Sequence, residues 1–184
     1  MTSQRIGKYA CLETERRYLL KKIPDDLLET NGWLITDRYF SNTRLRLRQM
    51  KSVSGNETIY KLTQKYRSET QNAYETTITN LYLTEEEYNH LESLDGKIIK
   101  KKRYPYSVKN HNFSIDVFED RHRGLILAEM EFEGQTELGE FALPLFALKE
   151  VTDDPFFTGG NIVTMTEEEF RQGLSQRLHD HQSV

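Results

Sequence analysis

"TRLRLRQMKSVSGNETIYKLTQK", residues 43–65, carries two alternating runs back to back with a turn between them. In the first run Arg44, Arg46 and Arg48 hold one phase while Leu45 and Leu47 hold the other. In the second, Lys61, Thr63 and Lys65 are set against Tyr60, Leu62 and Gln64. Side chains two apart on a strand share a face, so each run is a strand with one apolar and one basic face. The Ser-Gly-Asn within "KSVSGNET" (51–58) suits a hairpin turn between them. The hairpin turns a row of cations to one side, and the fold has to give that row a place.

The same pattern recurs outward along the chain. "CLETERRYLL" (11–20) puts Glu13, Glu15 and Arg17 in phase, and "LAEMEFE" (127–133) alternates Glu129, Glu131 and Glu133 with Ala128, Met130 and Phe132. "KKRY" (101–104) offers Lys101 and Arg103, and "SIDVFED" (114–120) sets Asp116 opposite Ile115 and Val117. Period two predicts strands over 11–20, 33–39, 42–50, 58–66, 73–82, 98–107, 112–119 and 125–133. Helical signals are few. Capping boxes at Thr84/Glu87 and Thr166/Glu169 predict helices over 84–96 and 166–181. Pro24 and Gly32 bracket a short one over 23–32, and 138–150 reads as partly helical and broken near Pro144. Eight successive strands with helices at the margins predict a mainly β (α+β) fold, an antiparallel sheet closed or nearly closed on itself.

A solvated strand face usually mixes charge signs, because like charges two apart stand only ~6.7 Å from each other. At an effective dielectric near 20 each such pair repels by about 2.5 kcal/mol if enclosed. Rows of one sign are therefore expected to face each other across a lumen, bases gripping a polyanion and acids gripping its accompanying cation. Oxygen-only carboxylate clusters suit Mg²⁺ or Mn²⁺, and arginine forks suit phosphate oxygens.

Composition bounds the alternatives. The 184 residues carry no linker or repeat and read as one domain, 1–184. A net charge of −4 speaks against nucleic acid held by bulk positive charge. The single cysteine, Cys11, rules out an internal disulfide framework. With neither a signal-like segment nor a long apolar run, the expectation is a cytoplasmic protein with no membrane partner. His90, His111, His122, His179 and His181 show no metal spacing and read as surface residues, Trp33 reads as packing, and "TGG" (158–160) is too bare for a phosphate loop.

These motifs, in this order, resemble the CYTH domains, or triphosphate tunnel metalloenzymes. "ETERR" is similar to the family's Glu-x-Glu-x-Lys, with Arg17 where lysine is usual, and "LTQK", "KKRY", the Asp116 strand and "EMEF" follow in sequence. "EVTDDPFF" (150–157) is similar to the segment before the family's terminal helix. The resemblance covers roughly residues 8 to 163. It implies a closed eight-stranded antiparallel β-barrel, the triphosphate tunnel, with peripheral helices. It further implies a metal-dependent hydrolase of triphosphate compounds, inorganic triphosphate first among them. An adenylate cyclase of class IV type, making cyclic AMP and pyrophosphate, is the alternative within the fold; a non-catalytic polyphosphate- or nucleotide-binding module is the alternative outside enzymology.

By the same resemblance Glu13, Glu15, Glu129 and Glu131 would ligate Mg²⁺ or Mn²⁺. Arg17, Arg44, Arg46, Arg48, Lys65, Lys101 and Arg103 would bind triphosphate. Glu15, Asp116 and Glu131 would be the catalytic set, and Glu75 would support neighbouring basic groups. Arginine stays protonated, so Arg17 can hold a phosphate but cannot be a base. The expected partner is a triphosphate-containing small molecule, and a homodimer is an allowed assembly.

Overall fold

The computed structural model describes residues 8–29, 31–67, 72–132 and 141–179. Eight of its strands are β1 (Cys11–Leu19), β2 (Trp33–Tyr39), β3 (Leu45–Ser52), β4 (Thr58–Tyr66), β5 (Glu75–Leu83), β6 (Lys97–Val108), β7 (His111–Phe118) and β8 (Ile126–Glu131). A two-residue β9 (Lys149–Glu150) follows. The helices are α1 (Glu85–Glu92), α2 (Gly159–Ile162) and α3 (Glu167–His179).

The strands run β5-β4-β3-β2-β6-β7-β8-β1 with antiparallel neighbours, and a β5–β1 ladder closes them into a barrel. Closure works because β1 changes partners along its length. Its first half, residues 11–14, pairs with β5; residues 15–19 pair with β8 and then, through Tyr18 and Leu19, with β9. Such a stagger is what tilted barrel strands require. The hairpin of residues 43–65 forms with the register Arg46↔Thr63 and Arg48↔Lys61.

Register then fixes one inner phase all the way round. Arg17 stands beside Glu129, Glu15 beside Glu131, Glu13 beside Thr76, Arg48 beside Asp37, and Arg103 beside Asp116. The outer phase of β1, β7 and β8 supplies Tyr18, Leu20, Phe113, Ile115, Ala128 and Met130, an apolar patch covered by Phe141, Phe146 and Ala147. Phe113 and Phe146 meet edge to face at 5.1 Å. Helix α1 begins with the expected capping box, Thr84 and Glu87 reciprocally bonded, and buries Tyr88 against Tyr60.

The inner phase is not charged throughout. At one end Leu19, Ile99, Phe118 and Leu127 form an apolar floor on which Phe156, Phe157 and Ile162 sit, backed by Phe170 and Leu174 of α3. The segment 155–163 therefore closes that end, while α3 packs behind it. Arg177 fixes the arrangement, pairing with Asp154 at 2.6 Å and lying 4.2 Å over the Phe156 ring. Gly173 is required for this packing, since a Cβ there would lie 2.4 Å from the Phe156 ring edge.

Two helix expectations are corrected. Residues 23–29 form turns, not a helix: one bond, Leu27 N–H to the Pro24 carbonyl, is the only turn closed. A segment this short cannot offset helix nucleation, and Leu27 packs on the outer apolar patch. Residues 141–150 are not helical either, because the Leu148 N–H donates to the Leu19 carbonyl and Lys149–Glu150 joins the sheet. The part of that expectation at 138–140, like Glu133 and His181, lies outside the described residues. His122 is buried, not superficial, with Nε2 3.2 Å from the Ile162 carbonyl and its ring against Phe170. No helix among the described residues is long and apolar enough to cross a membrane.

Candidate functional site

Above the apolar floor lies a cavity of about 390 Å³. Glu13, Glu15 and Arg17 reach it from β1; Arg46 and Arg48 from β3, with Arg44 just before; Lys65 from β4; Lys101 and Arg103 from β6; Glu129 and Glu131 from β8. Five separate strands thus bring together the charged rows that alternate in the sequence. Asp116 is wholly buried behind Lys101 and Arg103, and it accepts from both. Glu75 is not among the side chains that line the cavity, though its carbonyl accepts from the Nε of the lining Arg67 at 3.0 Å. Glu75 alternates with Thr76 and Ile78, which line the cavity, and stands opposite Thr14 on the outer phase. Of residues 100–103, only Lys101 and Arg103 turn inward; Lys100 and Lys102 pair outside with Asp120 and Glu119.

The lumen is a web of opposite charges. Arg17 spans two strands, Nη2 donating to Glu15 at 2.8 Å and Nε to Glu129 at 3.3 Å, while Nη1 donates to the Phe157 carbonyl at 3.3 Å. Lys65 reaches Glu13 at 3.2 Å and Glu15 at 3.4 Å. Arg103 grips Asp116 through Nε and Nη2, each at 2.7 Å, and also donates to Glu129. Burial alone would raise the Glu129 carboxyl, but Arg103, Lys101 and Arg17 outweigh it and hold the group well below the carboxylate range. Burial pushes Lys101 down despite Asp116 beside it. Arg17, Arg48 and Arg103 lose stability of charge to burial yet gain more from neighbouring acids, so they stay cationic.

Glu131 is the exception. Exposed on the rim, it has no ion-pair partner among the described residues. Partial burial raises its carboxyl, and the nearby Glu13 and Glu15 raise it further. Repulsion of that kind is what a divalent cation relieves, and all the donors are the hard oxygens Mg²⁺ or Mn²⁺ prefers. The other three glutamates are paired with bases, and no group of three or more acidic, histidine or cysteine side chains among the described residues is gathered as a metal site.

Two features of the cavity escape sequence reading. Asp37 is 1% exposed in β2 and pairs side-on with Arg48 at 2.6 and 2.7 Å. A lone acid among Trp33, Ile35 and Tyr39 forms no row; the available signal was its register across from the arginine strand. The second is the wall built by Phe157, Thr158, Gly159 and Gly160. Gly159 passes so near Tyr39 that a Cβ would lie 2.0 Å from its hydroxyl.

Two known proteins, one of them in two crystal structures, are similar to this chain. An inorganic triphosphatase of Acetivibrio thermocellus is 28% identical over 75 residues, which are 41% of this chain and 47% of the relative. The match thus spans about half the length of that relative. The crystal structure of the inorganic triphosphatase NE1496 superposes with a TM-score of 0.56 at 22% identity, covering 84% of this chain and 95% of that one. A second structure, of the hypothetical protein NE1496, gives 0.56 at 23% identity over 83% and 98% of the two chains. No protein-family model matches the chain. At these identities the superpositions establish a common fold.

Proposed function

We propose that this chain, a protein of the CYTH or triphosphate tunnel fold, is a metal-dependent hydrolase of triphosphate compounds, with inorganic triphosphate as its first substrate. The observation that carries the reading is the convergence of the basic and acidic rows on one closed-ended cavity. A linear polyanion with an accompanying divalent cation is the ligand whose charge distribution matches both rows. The inorganic triphosphatases among the similar proteins agree with this reading.

Arg46, Arg48 and Arg103 would hold the inner phosphates, and Arg44 and Lys65 the outer part of the chain, because only an extended anion reaches cations on several strands. Arg17, Lys65 and Arg103 hold Glu13, Glu15 and Glu129 in the ligand-free lumen. On binding, these cations would turn to phosphate oxygens and release the carboxylates. Glu13, Glu15, Glu129 and Glu131 would then hold Mg²⁺ or Mn²⁺, which when bound supplies Lewis-acid neutralisation and a water of lowered pKa. Permanently charged guanidiniums aimed at the transferred and leaving phosphoryl groups stabilise the charge that develops there.

Incubation with tripolyphosphate, ATP or thiamine triphosphate, each with Mg²⁺ or Mn²⁺, tests the proposal. Orthophosphate release is expected, fastest from tripolyphosphate. Cyclic AMP appearing with pyrophosphate would replace hydrolase by cyclase. Arg17 favours a second reading, a non-catalytic binding module: it stays protonated and is engaged on three sides, so it offers no base. Tight calorimetric binding without turnover on any substrate would select that reading.

A further inference from the structure

We propose that Asp37 is a positioning residue for the polyanion, fixing the Arg48 fork so that its free end meets the ligand; the proposal rests on the triphosphate reading above. Asp37 uses both carboxylate oxygens on the Nε–Nη2 edge of Arg48. That edge is thereby consumed, and the Nη1–Nη2 end is left for the cavity that Arg48 lines. Arg46, the neighbour in the row, approaches Asp37 only to 3.7 Å through Nε, and that buried Nε has no hydrogen-bond partner among the described residues. Its Nη2 rests on the Thr63 hydroxyl at 3.3 Å. Asp37 thus clamps one arginine while its charge steadies a second that keeps donors unspent.

A buried acid in an anion-binding lumen has an evident cost. It subtracts a positive charge from the field the ligand feels, and buried ion pairs are often no more stabilising than apolar packing of the same shape. Pre-aiming offsets that cost. A free arginine must give up rotamer freedom when it binds, whereas a clamped fork loses little.

The two roles of Asp37 predict opposite signs. If it were only a counter-charge, Asp37→Asn would tighten tripolyphosphate binding, because the lumen gains one positive charge. If it aims Arg48, the same variant loosens binding despite that gain.

Calorimetric titration of tripolyphosphate into wild type, D37N, D37E, R48K and the D37N/R48K double variant separates them. Each single variant is expected to bind about tenfold more weakly, the size of one misaligned charge-assisted contact. D37E does so with no change of charge. The double variant is expected to bind no worse than R48K, since both changes remove one unit. In ligand-free ¹⁵N spectra a protected arginine Nε–H resonance should be present in wild type and lost in D37N and R48K. Tripolyphosphate binding by D37N as tight as wild type or tighter overturns the proposal, as does persistence of the resonance. If D37N fails to fold, D37E carries the same decision: it keeps the charge, so weaker binding upholds the aiming role and binding as tight as wild type overturns it. A wild-type protein that takes up no tripolyphosphate overturns the triphosphate reading instead. The ligand-free resonance still decides for Asp37 in that case, its loss in the variants upholding the clamp and its persistence overturning it.

Discussion

Asp116 and Glu131 are acids on the same inner phase of the barrel, in neighbouring strands, yet their surroundings are opposite. Asp116 has no exposed surface and accepts from Lys101 and twice from Arg103. Glu131 sits on the rim without an ion-pair partner among the described residues, in the field of Glu13, Glu15 and Glu129. The β2–β3–β6–β7 side of the lumen is made of matched pairs that hold basic groups in fixed positions. The β1–β8 side keeps acid in excess at its outer end. One side is balanced in charge, and the other carries an excess of negative charge.

The contrast can be broken hardest at Asp116. Asp116→Ala leaves Lys101 and Arg103 without their buried acceptor and should cost about 3–5 kcal/mol, read as a lower urea midpoint at unchanged slope. A smaller loss, about 1–3 kcal/mol, is expected of Glu129→Gln, because Arg17 and Arg103 both pair with it. The charge row alone, with in-phase acids repelling one another, would instead predict that removing either glutamate of "EMEF" relieves repulsion. Glu131→Gln should still behave that way, leaving ligand-free stability level or raising it by a few tenths of a kcal/mol, since water screens the rim. Both variants should lose turnover with Mg²⁺ or Mn²⁺.

Acid sharpens the same comparison. Burial disfavours the Asp37 charge, but Arg48 and Arg46 overcome that and hold its carboxyl far below the ordinary value; Glu129 is lowered likewise by Arg103, Lys101 and Arg17. A folded-state pKa below the unfolded one contributes stability that is fully present above about pH 4–5 and lost as pH falls toward the folded value. Wild type should therefore weaken on acidification, and D37N should show a flatter fall below about pH 4. Glu131 carries the opposite sign. Its raised pKa means a penalty at neutral pH that fades as pH drops through it, so any gain from Glu131→Gln should shrink on acidification.

Much of the barrel was legible because period two and single-sign rows are local properties of a strand. Arg44, Arg46 and Arg48 declare their common face whatever lies opposite, and all eight strands lie close to their expected places. What was not legible depends on partners far away in sequence. Asp37 has meaning only through its register with Arg48, and Glu129 differs from Glu131 only because Arg17 and Arg103 reach one and not the other. The 23–32 segment carries real helix punctuation, but a Tyr106 hydroxyl on Asp26 and the packing of a partly buried Leu27 hold residues 23–29 as turns. Nothing in "TGG" announces that it forms a cavity wall; that follows from the Phe156–Phe157 pair seating on the floor.

The partner switching of β1 has a consequence for how the chain folds. Strand β1, which precedes its partners in the chain, cannot complete either ladder until β5 and β8 exist, and its hydrogen bonds to Thr152 and Val151 span more than a hundred residues. Loop closures of that length must be accomplished before their contacts reward them, which places such topologies among slow folders. During synthesis the β2–β3–β4–β5 meander can assemble early by local hairpins, while β1 waits with an unpaired edge. On this topology the rate-limiting event is expected to be the docking of β8 and the 150–163 segment onto that edge, checked by slowed refolding of variants in those segments. Substitutions there should act on the folding rate as much as on the final stability, and the exposed β1 edge makes the unfinished barrel the form most prone to aggregate.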